Sequence, residues 1–140
     1  MLDHKHLIIT AKVMNPPKSV SQIKLWMKKL IADINMEVLM GPYAVYSKME
    51  GNRGLTAAAI INTSHIVLHT WDEESPGLIQ LDIFSCKDFD INIAFDSLNE
   101  FSLISLDYNF LDRNGAKISK VKRNWFSIGY KRLNDYLNKY

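Results

Sequence analysis

Three apolar runs, "LTAAAIIN", "SHIVLHTW" and "LIQLDIFSC", follow one another between Leu55 and Cys86 with only short polar breaks between them. Breaks that short cannot carry a crossover connection, so neighbouring strands must pair antiparallel. "HLIITAKVM" is a strand that stops at Asn15-Pro16-Pro17, because two prolines end a ladder. "KSVSQIKLWMKKLIADIN" places Val20, Ile23, Trp26, Met27, Leu30, Ile31 and Ile34 at spacings of three and four. That is one apolar helical stripe, opposite Lys24, Lys28 and Lys29, with Ser19 or Ser21 as the cap. "MEVLMGPYAVYSKM" reads as a second strand interrupted at Gly41-Pro42, and "EGNRG" and "DEESPG" read as turns. "DINIAFDSLNEF" is a short helix, and "SLISLDYNFLD" is a strand closed by Arg113-Asn114-Gly115. The expected order is β-α-β-β-β-β-α-β-α. It gives an α+β fold, a two-layer α/β sandwich with a mainly antiparallel sheet and helices on one face.

At 140 residues, the chain is expected to form a single domain over 1–140. Its 47% hydrophobic and 23% charged residues are those of a soluble globular protein. A net charge of +2 is too small to argue for nucleic acid. Basic residues do gather in the tail, 113–140, which reads as a solvated segment with an amphipathic helix at its end. The one cysteine, Cys86, excludes an internal disulfide and fits a reducing cytoplasm. "MLDHKHLIITAKV" has charges where a signal peptide needs an apolar stretch, and no run approaches the ~20 apolar residues of a membrane span. The expectation is a cytoplasmic chain without membrane or nucleic-acid partners.

The chemistry concentrates in "INTSHIVLHTWDEE", Ile61 to Glu74. Ser64 and His69 are five positions apart, so strand alternation sets them on opposite faces unless a bend or bulge intervenes. Leu78, Gln80, Asp82, Phe84 and Cys86 share a face of the next strand. Two histidines do not close a zinc site without further ligands, and Cys86 lacks a CxxC partner, so no metal is expected. There is no Gly-x-Ser-x-Gly elbow and no glycine-rich phosphate loop. Taken singly, a strand serine is a bonded hydroxyl, a histidine a satisfied polar group and a buried cysteine a small hydrophobe.

Taken together, "SHIVLHTWDE" followed by "LDIFSC" resembles the core of the prokaryotic-type S-adenosylmethionine decarboxylases. That family carries Glu-Ser-His-x-x-x-His-Thr-Trp-Pro-Glu and then Asp-x-Phe-x-Cys. The matching positions are Ser64, His65, His69, Thr70, Trp71, Glu73, Asp82, Phe84 and Cys86, and "GLTA" stands where the family has Gly-Val-Ser-Gly. The resemblance runs to about residue 112 and leaves the tail uncovered. It implies a self-processing, pyruvoyl-dependent decarboxylase that supplies the aminopropyl donor for spermidine synthesis.

By that resemblance the Ser64 hydroxyl attacks the Thr63 carbonyl, and the chain is cut between Thr63 and Ser64. Ser64 becomes a pyruvoyl group, the cofactor that takes the substrate as a Schiff base. His69 removes the Cα proton during processing, and Thr56 stabilises the ester. Cys86 donates a proton to the product, and Glu73 holds ribose hydroxyls. A homodimer with active sites near its interface is also implied. Three positions depart from the pattern. Thr63 replaces glutamate, Thr56 replaces serine, and Glu50 stands where the family stacks a phenylalanine on adenine, with Met49 or Tyr46 as nearby substitutes. Glu50 opens the alternative of a basic amino acid substrate, ornithine or arginine. Thr63 opens that of an unprocessed, non-catalytic homologue.

Overall fold

The computed structural model describes residues 2–115, 117–122 and 125–127. Its strands are β1 (Lys5–Val13), β2 (Val38–Ser47), β3 (Gly54–Ile61), β4 (Ser64–Trp71), β5 (Gly77–Ser85), β6 (Leu103–Asp112), β7 (Ser119–Lys122) and β8 (Trp125–Ser127). Its helices are α1 (Val20–Asp33) and α2 (Ile91–Ser97), the second running into a 3-10 turn at Leu98–Phe101. The strands lie in the order β2-β3-β4-β5-β1-β6-β7, with β8 also on β6, and every pairing is antiparallel. With both helices packed on one face of the sheet, this is the expected α+β two-layer sandwich. The first strand of the chain is central, between β5 and β6.

Helix α1 starts where Ser19 Oγ accepts the Gln22 N–H at 3.2 Å. Its stripe of Ile23, Trp26, Met27, Leu30 and Ile31 is buried. Asp90 caps α2 by accepting the Asn92 N–H at 2.9 Å. The two helices are tied where the Trp26 indole N–H donates to the Ser97 carbonyl at 2.9 Å. Beneath them lie Leu7, Ile9, Ala11 and Val13 of β1, Ile66 and Leu68 of β4, and Ile79, Leu81 and Ile83 of β5, all buried. Each Leu or Ile so buried contributes about 1.5–3 kcal/mol. A one-residue slip would move the whole set to the other face, so burial fixes the register. The alternate residues therefore face away from the helices: His6, Ile8 and Thr10, then His65, Val67 and His69, then Gln80, Asp82 and Phe84. Among the described residues no helix covers this second face.

Within the basic tail, β7 and β8 pair with β6 as strands, where the sequence pointed only to a terminal helix. Strand β6 would otherwise present an unpaired row of N–H and C=O groups, which recruits the next extended segment. Residues 128–140, where that helix was expected, lie outside the described residues. No described helix is long and apolar enough to cross a membrane.

Candidate active site

Only Asn62 and Thr63 connect β3 to β4, with Ile61 paired to Ser64. The tip is held from several sides. The Asn62 N–H donates to the Glu37 carbonyl at 2.9 Å, and the Glu37 N–H returns to Asn62 Oδ1 at 3.2 Å. The Thr63 hydroxyl donates to Met36 Sδ at 2.9 Å. The Cys86 N–H donates to the Thr63 carbonyl oxygen at 2.8 Å. Between these anchors Ser64 adopts φ +145°, a conformation that L side chains rarely take. Such strain costs of order 1–3 kcal/mol and persists only where the surroundings over-determine it. Ser64 thus opens β4 at a strained hairpin tip, next to the strand end that carries Cys86.

At the other end of the same hairpin the Thr56 hydroxyl and His69 Nδ1 are 3.0 Å apart. Strands β3 and β4 come close here because residue 54 is glycine: a Cβ there would lie 1.8 Å from the Thr70 carbonyl oxygen. Thr70 Oγ1 also accepts the Leu55 N–H at 2.8 Å, which fixes the register on either side of Thr56. Glu73 lies beyond the strand end and accepts the Arg53 N–H at 2.9 Å. Trp71 sits beside His69, with ring centroids 6.1 Å apart, and its indole N–H donates to Asn52 Oδ1 at 2.8 Å.

The structure therefore sorts the expected site residues into two groups. Thr63, Ser64 and Cys86 meet at one end of the hairpin, and Thr56 and His69, with Glu73 beyond, at the other. Five residues of strand separate Ser64 from His69, about 16 Å at ~3.3 Å per residue. Glu50 is exposed in the turn after β2, as is Met49. Tyr46 is committed elsewhere, its hydroxyl donating to Asp72 Oδ2 at 2.6 Å.

Asp72 organises this far end. Its carboxylate is fully enclosed and takes the Arg53 Nε–H at 2.6 Å. Burial pushes the carboxyl up, but the bonds from Tyr46 and Arg53 outweigh it and hold it below the ordinary 3.8. A depressed carboxyl contributes stability that is complete above the unfolded-state value and is lost as pH falls through the folded one. Asp72→Ala is expected to cost about 2 kcal/mol near neutral pH, discounted because Arg53 reaches solvent. Asp72→Asn should also flatten the acid side of the stability curve below about pH 3.9. Urea titrations of both variants across pH 2–7 check this, and an unchanged acid slope would contradict it.

A third cluster was not read from the sequence. On the uncovered face His6 Nε2 lies 2.8 Å and His65 Nε2 3.2 Å from the same Asp82 Oδ1. These groups are mutually close enough to hold an ion, all within 4.8 Å. However, Arg113 Nη1 lies 3.1 Å from His6 Nδ1. A guanidinium only donates, so His6 Nδ1 accepts and its proton is on Nε2, facing Asp82. A cation would have to displace that proton. Burial raises the Asp82 carboxyl, and the hydrogen bonds from His6 and His65 bring it below 3.8. The Arg113 guanidinium lies 4.4 Å over the Phe84 ring, which also packs against His6 and His65 at 5.3 and 5.7 Å. Strand alternation did place Asp82 and Phe84 on one face. Nothing in the sequence signals that β1 and the end of β6 bring His6 and Arg113 to them.

The fold and these clusters define a two-layer sandwich with Thr56, His69, His6, His65 and Asp82 on the uncovered face of its sheet and Ser64 at the tip of the β3–β4 hairpin. The family profile described as S-adenosylmethionine decarboxylase matches residues 5–113, and the chain belongs to that family. It is 42% identical over 50 residues to the S-adenosylmethionine decarboxylase proenzyme of Pyrobaculum arsenaticum. That stretch covers 35% of this chain and 38% of the relative, well under two thirds of its length. The fold matches the crystal structure of the adenosylmethionine decarboxylase from Aquifex aeolicus, with a TM-score of 0.64 and 18% identity. That match covers 83% of this chain and 94% of the other.

Proposed function

We propose that this chain is a self-processing, pyruvoyl-dependent decarboxylase of S-adenosylmethionine that works as a homodimer. The observation that carries the reading is the strained Ser64, placed directly after a carbonyl that the Cys86 N–H already polarises. Attack of the Ser64 hydroxyl on the Thr63 carbonyl carbon breaks the peptide C–N bond and makes an ester, freeing the nitrogen of residue 64. The Cys86 N–H stabilises the charge that builds on the carbonyl oxygen. Removal of the Ser64 Cα proton then expels the Thr63 carboxylate, and water replaces the nitrogen as ammonia. The side chain of Thr63 takes no part in these steps, so its difference from glutamate does not block them. The ketone supplies an electron sink for loss of CO₂ from an α-amino acid.

Cys86, at the same corner, is the proton donor to the product carbon, and a thiol that must stay reduced suits the cytoplasm. His69, with Thr56 beside it, is the base for the Cα proton. It is too far along β4 to serve its own Ser64, so a two-fold partner laid on the uncovered face supplies it. Glu73 and Trp71 border that second half-site, where the ribose and adenine of the substrate fit.

The test is intact mass followed by turnover. Two fragments, 1–63 and 64–140, are expected, the second with a blocked α-ketoacyl end. Labelled CO₂ should come from S-adenosylmethionine and not from ornithine or arginine. Cys86→Ala should still split while turnover falls about a hundredfold. A well-folded chain that stays whole would defeat the reading.

A further inference from the structure

We propose that Arg113, His6 and Asp82 are positioning residues: their hydrogen bonds fix the ring of His65 and, through it, the Ser64–His65 peptide at the cleavage point. The inference rests on the self-processing reading and adds residues to it. Arg113 is anchored first, its N–H donating to the His4 carbonyl at 2.9 Å. Its guanidinium, which only donates, sets the His6 tautomer. His6 Nε2–H then donates to Asp82 Oδ1, and the ionised Asp82 takes His65 Nε2–H on the same oxygen. Phe84 packs against both imidazoles and closes off the rotamers that would swing them away.

The outer link of this chain adds little to the fold. The Asp82 and His65 side chains are 40% and 44% exposed, and a polar contact at such exposure contributes little to stability. What the chain reaches is the residue directly after Ser64. The N-terminal flank of Ser64 is held by the bonds to Thr63; the C-terminal flank is held by the β4 ladder, where His65 lies opposite Ile60 and Phe84, and the His65 ring adds a side-chain anchor to it. Residue 64 stays at φ +145° only while both flanks are fixed. Released on one side, it relaxes toward ordinary strand geometry and its hydroxyl swings away from the Thr63 carbonyl.

The experiment has two readouts. In freshly refolded full chains, His6→Leu is expected to slow splitting about tenfold or more. His6→Gln, whose amide N–H stands in for Nε2–H, should recover to within about threefold of the natural rate. A merely structural histidine would not show that rescue. In the uncleaved Ser64→Ala chain, imidazole nitrogen shifts should report Nε2–H on both His6 and His65. Adding His6→Leu should turn the His65 signal into a tautomer mixture. Splitting of His6→Leu at the natural rate, with an unchanged His65 signal, would overturn the relay and leave self-processing intact. So would a metal-bound Nε2 signature, which would assign the three side chains to an ion. If the natural chain never splits, the self-processing reading fails on its own, and the nitrogen shifts still decide whether His6 sets the state of His65.

Discussion

Ser64→Ala is expected to leave a single uncleaved chain of unaltered mass, with decarboxylation below detection. The hydroxyl is the only nucleophile that can make the ester with Thr63, and every later step consumes that ester. Alanine keeps the Cβ, so it also keeps the strain at φ +145° and should fold about as stably as the precursor. Glycine provides the contrast. Ser64→Gly should be equally unable to split, yet more stable than Ser64→Ala by about 1–2 kcal/mol, because glycine adopts that φ without a steric penalty. Intact mass settles splitting, and urea denaturation of the two variants settles the strain. Equal stability would mean that the hairpin stores no strain at Ser64. A cleaved Ser64→Ala chain would remove the serine from the chemistry altogether.

The meander from β3 to β5 was legible because apolar runs with short breaks leave one pairing arrangement, and α1 because its stripe holds one period over four turns. Ser64 and His69 do lie in one strand, β4, where five positions keep them about 16 Å apart. What alternation could not convey is that Ser64 stands at a hairpin tip. That depends on the Met36–Glu37 segment and on Cys86 reaching the Asn62-Thr63 turn, contacts between residues far apart in sequence. The central place of β1 was invisible for the same reason. Neither end of β1 carries a signal for its neighbours, so nothing pointed to His6 meeting Asp82, or to Arg113 meeting His6. In the basic tail, the clustered lysines and arginines suggested a solvated helix. The open edge of β6 has more to gain from a paired strand, and Ser119–Lys122 takes that place. Glu50 was weighed as a pocket residue because of its alignment alone, and the structure leaves it exposed in a turn.

Mixing two inactive variants should restore activity. His69→Ala is expected to slow splitting about a hundredfold, the usual contribution of a positioned general base, and Ser64→Ala to prevent it. If Ser64 were served by the His69 of its own chain, co-folding the two would change nothing, since neither chain holds both groups. The separation of about 16 Å along β4 argues otherwise, because a serine side chain spans only a small part of it. The uncovered face supplies the means of bridging it. Ile8, Tyr43, Val45 and Ile60 are exposed there, an apolar area that a second copy would bury. Face-to-face sheets pack about 10 Å apart, and a two-fold axis near Val67, midway between the half-sites, lays each Ser64 corner over the partner's His69 end. Random pairing makes half of the dimers mixed. Each mixed dimer has one complete site, so about a quarter of all sites should process and turn over. Val67→Arg, a charge at the centre of that face, should dissociate the dimer and stop splitting in an otherwise natural chain. If mass spectrometry shows that the subunits have exchanged and splitting is still absent, His69 does not act across the interface, and the base for Ser64 has to be sought on its own side of the sheet.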